Sequence, residues 1–224
     1  YYWQVRAVNT SGTTDADGSE SAFWEFTTGD PPEYFEKISP LDESLGVSLT
    51  PVLSWESSTE AVGYEYCYSI NGGNNNECDG PWVDNGASTS VTLSGLSSGT
   101  VYFWQVRAYN TSGSTYANSS ENDLWQFETG YPPENFGKIT PTPGQVNLPL
   151  SPTLSWASSS GADRYEYCFD TEDDGSCTGS WTVTGLSTSV ELSGLSPGTT
   201  YFRTRRAISE FGDTTADEGF WSFT

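Results

Sequence analysis

The chain contains no histidine and no methionine among its 224 residues. Without histidine there can be no Ser-His-Asp or Cys-His catalytic group, no histidine-liganded metal and no imidazole acid–base catalysis. Glycoside hydrolysis by a carboxylate pair survives in principle because the chain has 30 Asp and Glu residues, but these are scattered through polar, loop-like stretches. We therefore expect no catalytic residues and no cofactor.

Basic residues are scarce: eight Lys and Arg against 30 Asp and Glu give a net charge of −22. This charge repels nucleic acid and anionic membranes. No apolar run approaches the roughly 20 residues of a membrane-spanning helix, so we expect no membrane span in this segment. Charged residues make up 17% and aromatic residues 15% of the chain, a composition typical of β-sheet on extracellular surfaces.

One sequence unit recurs about every hundred residues, which indicates an array of like modules. The segment 1–7 (YYWQVRA) returns at 102–108 as YFWQVRA and at 201–207, more changed, as YFRTRRA. The repeat predicts three parts: 1–29 holds the C-terminal strands of a partial repeat, and 30–130 and 131–224 are domains. Because the first part matches only the end of a unit, and methionine is absent, we expect an excerpt of a longer protein.

Four cysteines occur, two in each complete module: Cys67 with Cys78, and Cys168 with Cys177. Three pairings are open. Pairing within each module is favoured because both cysteines recur at equivalent places. A zinc site is the alternative, but the chain has neither a C-x-x-C motif nor histidine. Persistent disulfides indicate an oxidising setting, outside the cell or at its surface.

Alternation of apolar and polar residues predicts the strands and their inward faces. Leu53 and Trp55 share one face, and in the next repeated stretch Tyr102, Trp104 and Val106 point inward while Arg107 points outward. Seven short strands in about a hundred residues, with turn residues between them, predict an all-β fold of tandem antiparallel sandwiches.

The stretch 96–102 (LSSGTVY) and its counterpart 195–201 (LSPGTTY) follow a strand with a central tryptophan. This order resembles the fibronectin type III module, in the form found in repeat arrays of secreted prokaryotic surface proteins. The resemblance implies that Trp55 and Trp156 are buried and that Tyr102 and Tyr201 form tyrosine corners. The chain departs from the family in its hairpin disulfides, and it has no Arg-Gly-Asp, so integrin-type adhesion does not carry over.

Two arginines break the inward pattern of the last module. Arg203 and Arg205 stand where the middle module has Trp104 and Val106, and an unpaired buried arginine is very costly. We expect either a local bulge that turns them outward or an open face on which they meet acids of another chain or module. On the outer face, we expect the cross-strand ion pairs Glu65–Arg107 and Glu166–Arg206.

Three sequons make Asn9, Asn110 and Asn118 candidate glycosylation sites. Asp170, Glu172 and Asp174 precede a glycine in an oxygen-rich turn that could hold calcium, and a solvated hairpin tip is the alternative reading. We assign no metal.

Trp82 and Trp181 follow the second cysteine of each pair, where they could stack on sugar rings or pack beside the disulfide or against a neighbouring module. In the first part, Trp3 and Trp24 need a partner surface, which either upstream residues or another chain would supply. We expect an extracellular structural repeat array, a spacer, stalk or filament-forming subunit, whose partners are like modules or neighbouring copies. The alternative is a carbohydrate- or protein-binding adhesion module, with a glycan as partner, possibly accessory to a secreted hydrolase.

Overall fold

The computed structural model describes residues 1–70, 72, 78–173, 175–217 and 219–224. These residues form short strands and two 3₁₀ turns, Ala16–Gly18 and Ala117–Ser119, with no α-helix. Nor do they contain a helix with the length and hydropathy needed to cross a bilayer. The first segment (1–29) has β1 (Tyr2–Trp3), β2 (Arg6–Asn9), β3 (Gly12–Asp15) and β4 (Trp24–Glu25).

The middle module (30–130) contains nine strand segments within its described residues. They are β5 (Lys37–Ser39), β6 (Ser44–Val47), β7 (Val52–Trp55), β8 (Gly63–Ser69), β9 (Val83–Asp84), β10 (Ser90–Thr92), β11 (Val101–Asn110), β12 (Gly113–Tyr116) and β13 (Trp125–Thr129). A three-stranded sheet in the order β10-β7-β5 faces a larger sheet in the order β6-β13-β11-β8-β9, with β12 also paired to β11. The pairs are antiparallel except β13 with β6.

The last module (131–224) repeats this plan with eight strand segments in its described part. They are β14 (Lys138–Thr140), β15 (Thr153–Trp156), β16 (Arg164–Asp170), β17 (Thr182–Gly185), β18 (Ser189–Glu191), β19 (Tyr201–Ser209), β20 (Gly212–Thr215) and β21 (Trp221–Phe223). The small sheet has the order β14-β15-β18, and the large sheet has the order β17-β16-β19-β20, with β21 paired to β19.

The all-β tandem sandwich predicted from the sequence is confirmed, but the count of seven strands is not. One cause is an interruption opposite β11, where β12 pairs with its end and β13 with its beginning. Residues 117–124 separate these two strands, and within the described residues no strand pairs with Gln105 and Val106 on that side. The bounds 30–130 and 131–224 stay predictions.

Each module buries its own apolar core between its two sheets. The predicted inward faces are buried in the middle module, and Trp55 and Trp156 are each only 2% exposed. The middle core is assembled around Phe35, Leu53, Trp55, Tyr64, Leu93, Leu96, Tyr102, Trp104, Val106, Ala108, Ala117 and Phe127. The last core is smaller and contains Phe136, Leu154, Trp156, Tyr165, Leu192, Ala207, Ala216 and Phe223.

The first segment has no opposite sheet within the described chain. Its strands pair only as β1 with β4 and β2 with β3. Trp3 is 46% exposed and Trp24 is 59% exposed, and their rings meet edge to face with centroids 5.8 Å apart. Trp104, which corresponds to Trp3 in the repeat, is fully buried. The exposed aromatic face thus carries a residue type that the middle module buries at the equivalent position.

Candidate functional site

Both predicted disulfides form within their own hairpins. Cys67 pairs with Cys78 across a Cα–Cα distance of 6.1 Å, and Cys168 pairs with Cys177 across 6.2 Å. Cys67 and Cys168 are buried on the outer side of the large sheet. Each disulfide thus joins strand β8 or β16 to the loop that follows it, which is consistent with an oxidising extracellular setting.

An arginine stacked on a tryptophan lies beside each disulfide. Arg107 binds Glu65 at 2.7 Å, and its guanidinium carbon lies 4.4 Å from the ring centroid of Trp82. Both predicted ion pairs are confirmed, and in the last module Arg206 binds Glu166 at 2.7 Å.

The stacking recurs in the last module, where the guanidinium of Arg206 lies 4.3 Å from the ring centroid of Trp181. In the middle module, Tyr116 also meets the Trp82 ring edge to face, with centroids 5.8 Å apart. Both tryptophans are half-buried. One face of each ring is therefore occupied by an arginine of the same module, and the cation–π contact favours this arrangement.

Tyrosine hydroxyls hold a turn in each sandwich. The hydroxyl of Tyr102 accepts from the Ser97 backbone N–H at 2.9 Å, and that of Tyr201 accepts from the Ser196 N–H at 3.0 Å. These are the tyrosine corners that the resemblance implied.

A second tyrosine–serine bond in each module escaped the sequence analysis. The Tyr64 hydroxyl accepts from the Ser58 N–H at 2.8 Å, and the Tyr165 hydroxyl accepts from the Ser159 N–H at 2.7 Å. The equal spacing of serine and tyrosine in both modules was the available signal.

Sequence analysis also missed a buried polar cluster, Lys37 with Gln105, which fills the interruption opposite β11. The Lys37 ammonium donates to Gln105 Oε1 at 2.8 Å and to the Asp123 carbonyl at 2.5 Å. Gln105 Nε2 donates to the carbonyls of Ser120 at 2.8 Å and Asp123 at 3.0 Å. The glutamine side chain thus replaces the backbone of the missing strand.

The environment of Lys37 disfavours its charge. Its side chain is 3% exposed, with its nitrogen 5.7 Å from the Trp104 ring centroid and 5.5 Å from that of Trp125. Burial lowers the pKa of Lys37 to about 8, although the Asp123 and Asp42 carboxylates act in the opposite direction. The signal for this cluster in the sequence was recurrence at equivalent repeat positions: the lysine occurs at 37 and 138, and the glutamine at 4 and 105.

The structure contradicts both expectations for Arg203 and Arg205. Neither a bulge nor an open face exposes them, because both side chains are fully buried inside the last module. Arg203 Nη2 donates to the Pro141 carbonyl, and Arg205 Nη2 donates to the Thr140 carbonyl at 3.1 Å.

Aromatic rings complete the surroundings of these arginines. The Arg203 guanidinium lies 5.4 Å from the Trp221 ring centroid, and that of Arg205 lies 4.8 Å from the Trp156 ring centroid. Within the described residues, Nε and Nη1 of both arginines have no hydrogen-bond partner. Burial lowers the pKa of Arg203 to about 10 and that of Arg205 to about 9. Backbone carbonyls and rings therefore take the place of carboxylates.

The first linker, residues 29–32, is held by polar contacts with the middle module. Asn110 Nδ2 donates to the carbonyls of Asp30 and Glu60, both at 2.9 Å. Thr115 Oγ1 donates to the Pro32 carbonyl at 2.5 Å. Of the three sequon asparagines, Asn110 thus uses both hydrogens of its amide in bonds to backbone carbonyls, one of which belongs to the linker.

The second linker, residues 130–133, contacts both modules that it joins. The Gly99 N–H of the middle module donates to the Gly130 carbonyl at 2.8 Å. In the last module, Thr214 Oγ1 donates to the Pro133 carbonyl at 2.5 Å, and the Phe211 ring lies so close over Gly130 that a Cβ would not fit there. A hydrogen bond of 2.8 Å from Ser48 Oγ to Glu210 joins the two modules directly.

The remaining candidates give no assembled site. Asn9 is exposed, and Asn118 Oδ1 accepts from the Lys37 backbone N–H at 3.0 Å. Asp170 accepts from the backbone N–H of Glu172 at 3.1 Å and from that of Thr178 at 3.0 Å, contacts that close its turn. Asp174 lies outside the described residues. Among those described, no cluster of three or more potential metal ligands occurs.

The sheet orders, the buried tryptophan and the tyrosine corner together decide the fold of both modules. Each is a fibronectin type III-like sandwich. The prokaryotic source implied by the resemblance stays a prediction.

No protein-family model matches the chain, and no curated protein matches it. Among solved structures, the chain is similar to the FN1–FN3 domains of chicken CNTN1, with a TM-score of 0.38 and 13% identity over 99% of this chain and 76% of that one. It is also similar to a segment of two fibronectin type III domains from chicken tenascin, with a TM-score of 0.33 and 19% identity over 86% of this chain and 97% of that one.

Proposed function

We propose that the chain is an extracellular spacer, a non-enzymatic row of sandwiches that holds other parts of a surface protein at a fixed separation. Its partners are like modules or neighbouring copies of the same protein. The observation that carries the proposal is the second linker, whose backbone and glycine surface are held from both sides. A linker held in this way transmits position from one module to the next.

The internal construction of each module supports the same role. A disulfide, a tyrosine corner and a tyrosine–serine bond recur at equivalent places in both complete modules. Cross-links and buried hydrogen bonds resist opening of the sandwich. Repetition of these features in each unit is expected of a structural material, whereas a single binding site would need only one copy.

The carbohydrate-binding alternative receives no support at the residues on which it depended. A sugar that stacks on Trp82 or Trp181 needs an open ring face. Arg107 covers one face of the Trp82 ring, and Arg206 covers one face of the Trp181 ring. The exposed face around Trp3 and Trp24 has the pattern of a sandwich interior, so we propose that the missing half of a like module covers it.

Small-angle X-ray scattering of the full chain tests the spacer. Phe211→Ser places at this position the residue that the middle module carries at Ser112, and it removes the ring from Gly130. We expect native scattering of one fixed arrangement of the two modules and a broader distribution of distances in the variant. Leu186→Ser, at an exposed position, is the control. A native chain that already scatters as freely moving modules would overturn the proposal.

A further inference from the structure

The interior of the middle module brings a primary amine into contact with a primary carboxamide. Lys37 is 3% exposed and Gln105 is fully buried, with Nζ of the lysine 2.8 Å from Oε1 of the glutamine. We propose that these two side chains condense into an amide cross-link inside the folded module, with loss of ammonia. The cross-link would be a modification site in addition to the two disulfides.

The amine has the surroundings of a nucleophile. A lysine becomes nucleophilic when it loses its proton, and removal from water favours the neutral form. The rings of Trp104 and Trp125 lie near Nζ. With a pKa of about 8, about a tenth of the lysine is neutral at pH 7.

The carboxamide is held as an electrophile. Gln105 Oε1 accepts from the backbone N–H of Val106 at 2.9 Å, in addition to the bond from Lys37. A fixed backbone donor at this oxygen stabilises the negative charge that develops there when an amine attacks the carbonyl carbon. The bonds from Nε2 to the Ser120 and Asp123 carbonyls fix the plane of the amide, so the reacting groups are held in place before reaction.

The reaction balances without any further reagent. The neutral Nζ attacks Cδ of Gln105, a C–N bond forms, and the carbonyl oxygen carries the negative charge of the tetrahedral intermediate. One proton passes from Nζ to Nε2, the Cδ–Nε2 bond breaks, and ammonia leaves. The proton that the lysine ammonium gave up leaves with it as ammonium. No oxidant, reductant or metal takes part.

The link would join the two sheets of the sandwich covalently. Lys37 lies on β5 of the small sheet and Gln105 on β11 of the large sheet, 68 positions apart in the chain. Both disulfides, by contrast, close short hairpin loops. A covalent bond between sheets prevents their separation, whatever role the chain has.

The other repeats provide natural controls, since each lacks one reactant. The last module has Lys138 but carries Thr204 where the middle module has Gln105, and Gln4 lies in a segment without an equivalent of β5. The described part of the chain thus places one lysine amine against one carboxamide, and we expect one cross-link per chain.

Intact-mass analysis of the purified full chain, after incubation at pH 8 to 9 to increase the neutral amine, tests the proposal. We expect a mass lower by one ammonia than the sequence with two disulfides requires. Digestion should yield a branched peptide that contains both Lys37 and Gln105. Lys37→Arg keeps the charge without the nucleophile, and Gln105→Thr installs the residue of the last module, so both variants should keep the full mass.

Cyclisation at the Asn71–Gly72 or Asn85–Gly86 bond also releases ammonia, but it produces no branched peptide, so peptide mapping separates it from the cross-linking reaction. A native chain of full mass, or one in which the Lys37 peptide keeps a free amine after incubation, overturns the proposal. The measurement on the native chain does not require that either variant folds.

Discussion

The middle and last modules share a fold but fill the centre of their longest strand differently. In β11 the positions 104–106 are Trp, Gln and Val, and in β19 the equivalent positions 203–205 are Arg, Thr and Arg. All six side chains are buried. The comparison shows that the sandwich fixes the direction of each side chain. The backbone carbonyls and aromatic rings around the position determine whether an apolar, polar or charged side chain can be buried there.

The difference at these positions extends to the interruption beside the strand. In the middle module, Gln105 supplies the hydrogen bonds of the missing backbone. In the last module, the shorter loop between β20 and β21 accompanies Thr204, whose buried hydroxyl has no hydrogen-bond partner within the described residues. Carbonyls of Ala216 and Asp217 accept from Lys138 instead. The two modules therefore differ both in the length of this loop and in the strand residue, Gln105 or Thr204, that lies beside it.

The largest expected effect comes from moving the last module's arginine into the middle module. Trp104→Arg removes an edge-to-face contact with Trp125, whose centroid is 6.0 Å away, and places a cation in the buried interior of the module. We expect a loss of about 3 to 5 kcal/mol of unfolding free energy in the middle module. Hydrogen exchange measured by mass spectrometry on the full chain separates the modules.

Trp3→Arg is the matched control for this prediction, because Trp3 occupies the same repeat position but is exposed. Its effect should stay within about 0.5 kcal/mol. If the two substitutions had equal effects, burial of Trp104 would not be what makes the position sensitive.

Removal of the disulfide should destabilise the middle and last modules by similar amounts. The double substitutions Cys67→Ser with Cys78→Ser, and Cys168→Ser with Cys177→Ser, open loops with separations of 11 and 9 residues. Because loop-closure entropy changes slowly with length, each should cost its own module about 3 kcal/mol. Urea unfolding followed by hydrogen exchange measures both. A much larger loss in one hairpin would contradict the equivalence.

The features that the sequence predicted correctly are those that depend on period and repetition. Alternation placed Glu65 opposite Arg107, and the structure pairs them in register. Recurrence of the cysteines favoured the correct disulfides. What could not be predicted depends on distant backbone. The carbonyls of Thr140 and Pro141 that accept from Arg203 and Arg205 lie more than 60 positions away in sequence. The free-energy cost of burying an arginine led us to expect Arg203 and Arg205 at the surface. Their hydrogen bonds to these carbonyls offset part of that cost.

Replacement of one buried arginine should stabilise the last module. Arg205→Met keeps much of the side-chain volume and removes a buried charge without a carboxylate partner. We expect a gain of about 1 to 3 kcal/mol in the unfolding free energy of that module. Val106→Met at the equivalent position of the middle module is the control, and overpacking should cost about 1 to 2 kcal/mol there. A loss at Arg205→Met would mean that the carbonyl and ring contacts outweigh the cost of desolvation.

The smallest expected effect is a pH dependence that separates a free lysine from a cross-linked one. Gln105→Thr leaves the Lys37 amine unlinked and still buried, and burial is the main cause of its lowered pKa of about 8. Between this pKa and the ordinary value of about 10.4, the unfolded chain binds a proton that the folded chain has released. Stability of the variant's middle module should therefore rise with pH, by about 1 kcal/mol between pH 8 and 9.

In the native chain the cross-linked nitrogen does not titrate, and hydrogen exchange across the same pH range should show no such rise. An equal rise in both proteins would mean that Lys37 keeps its amine beside Gln105 and that the cross-link does not form.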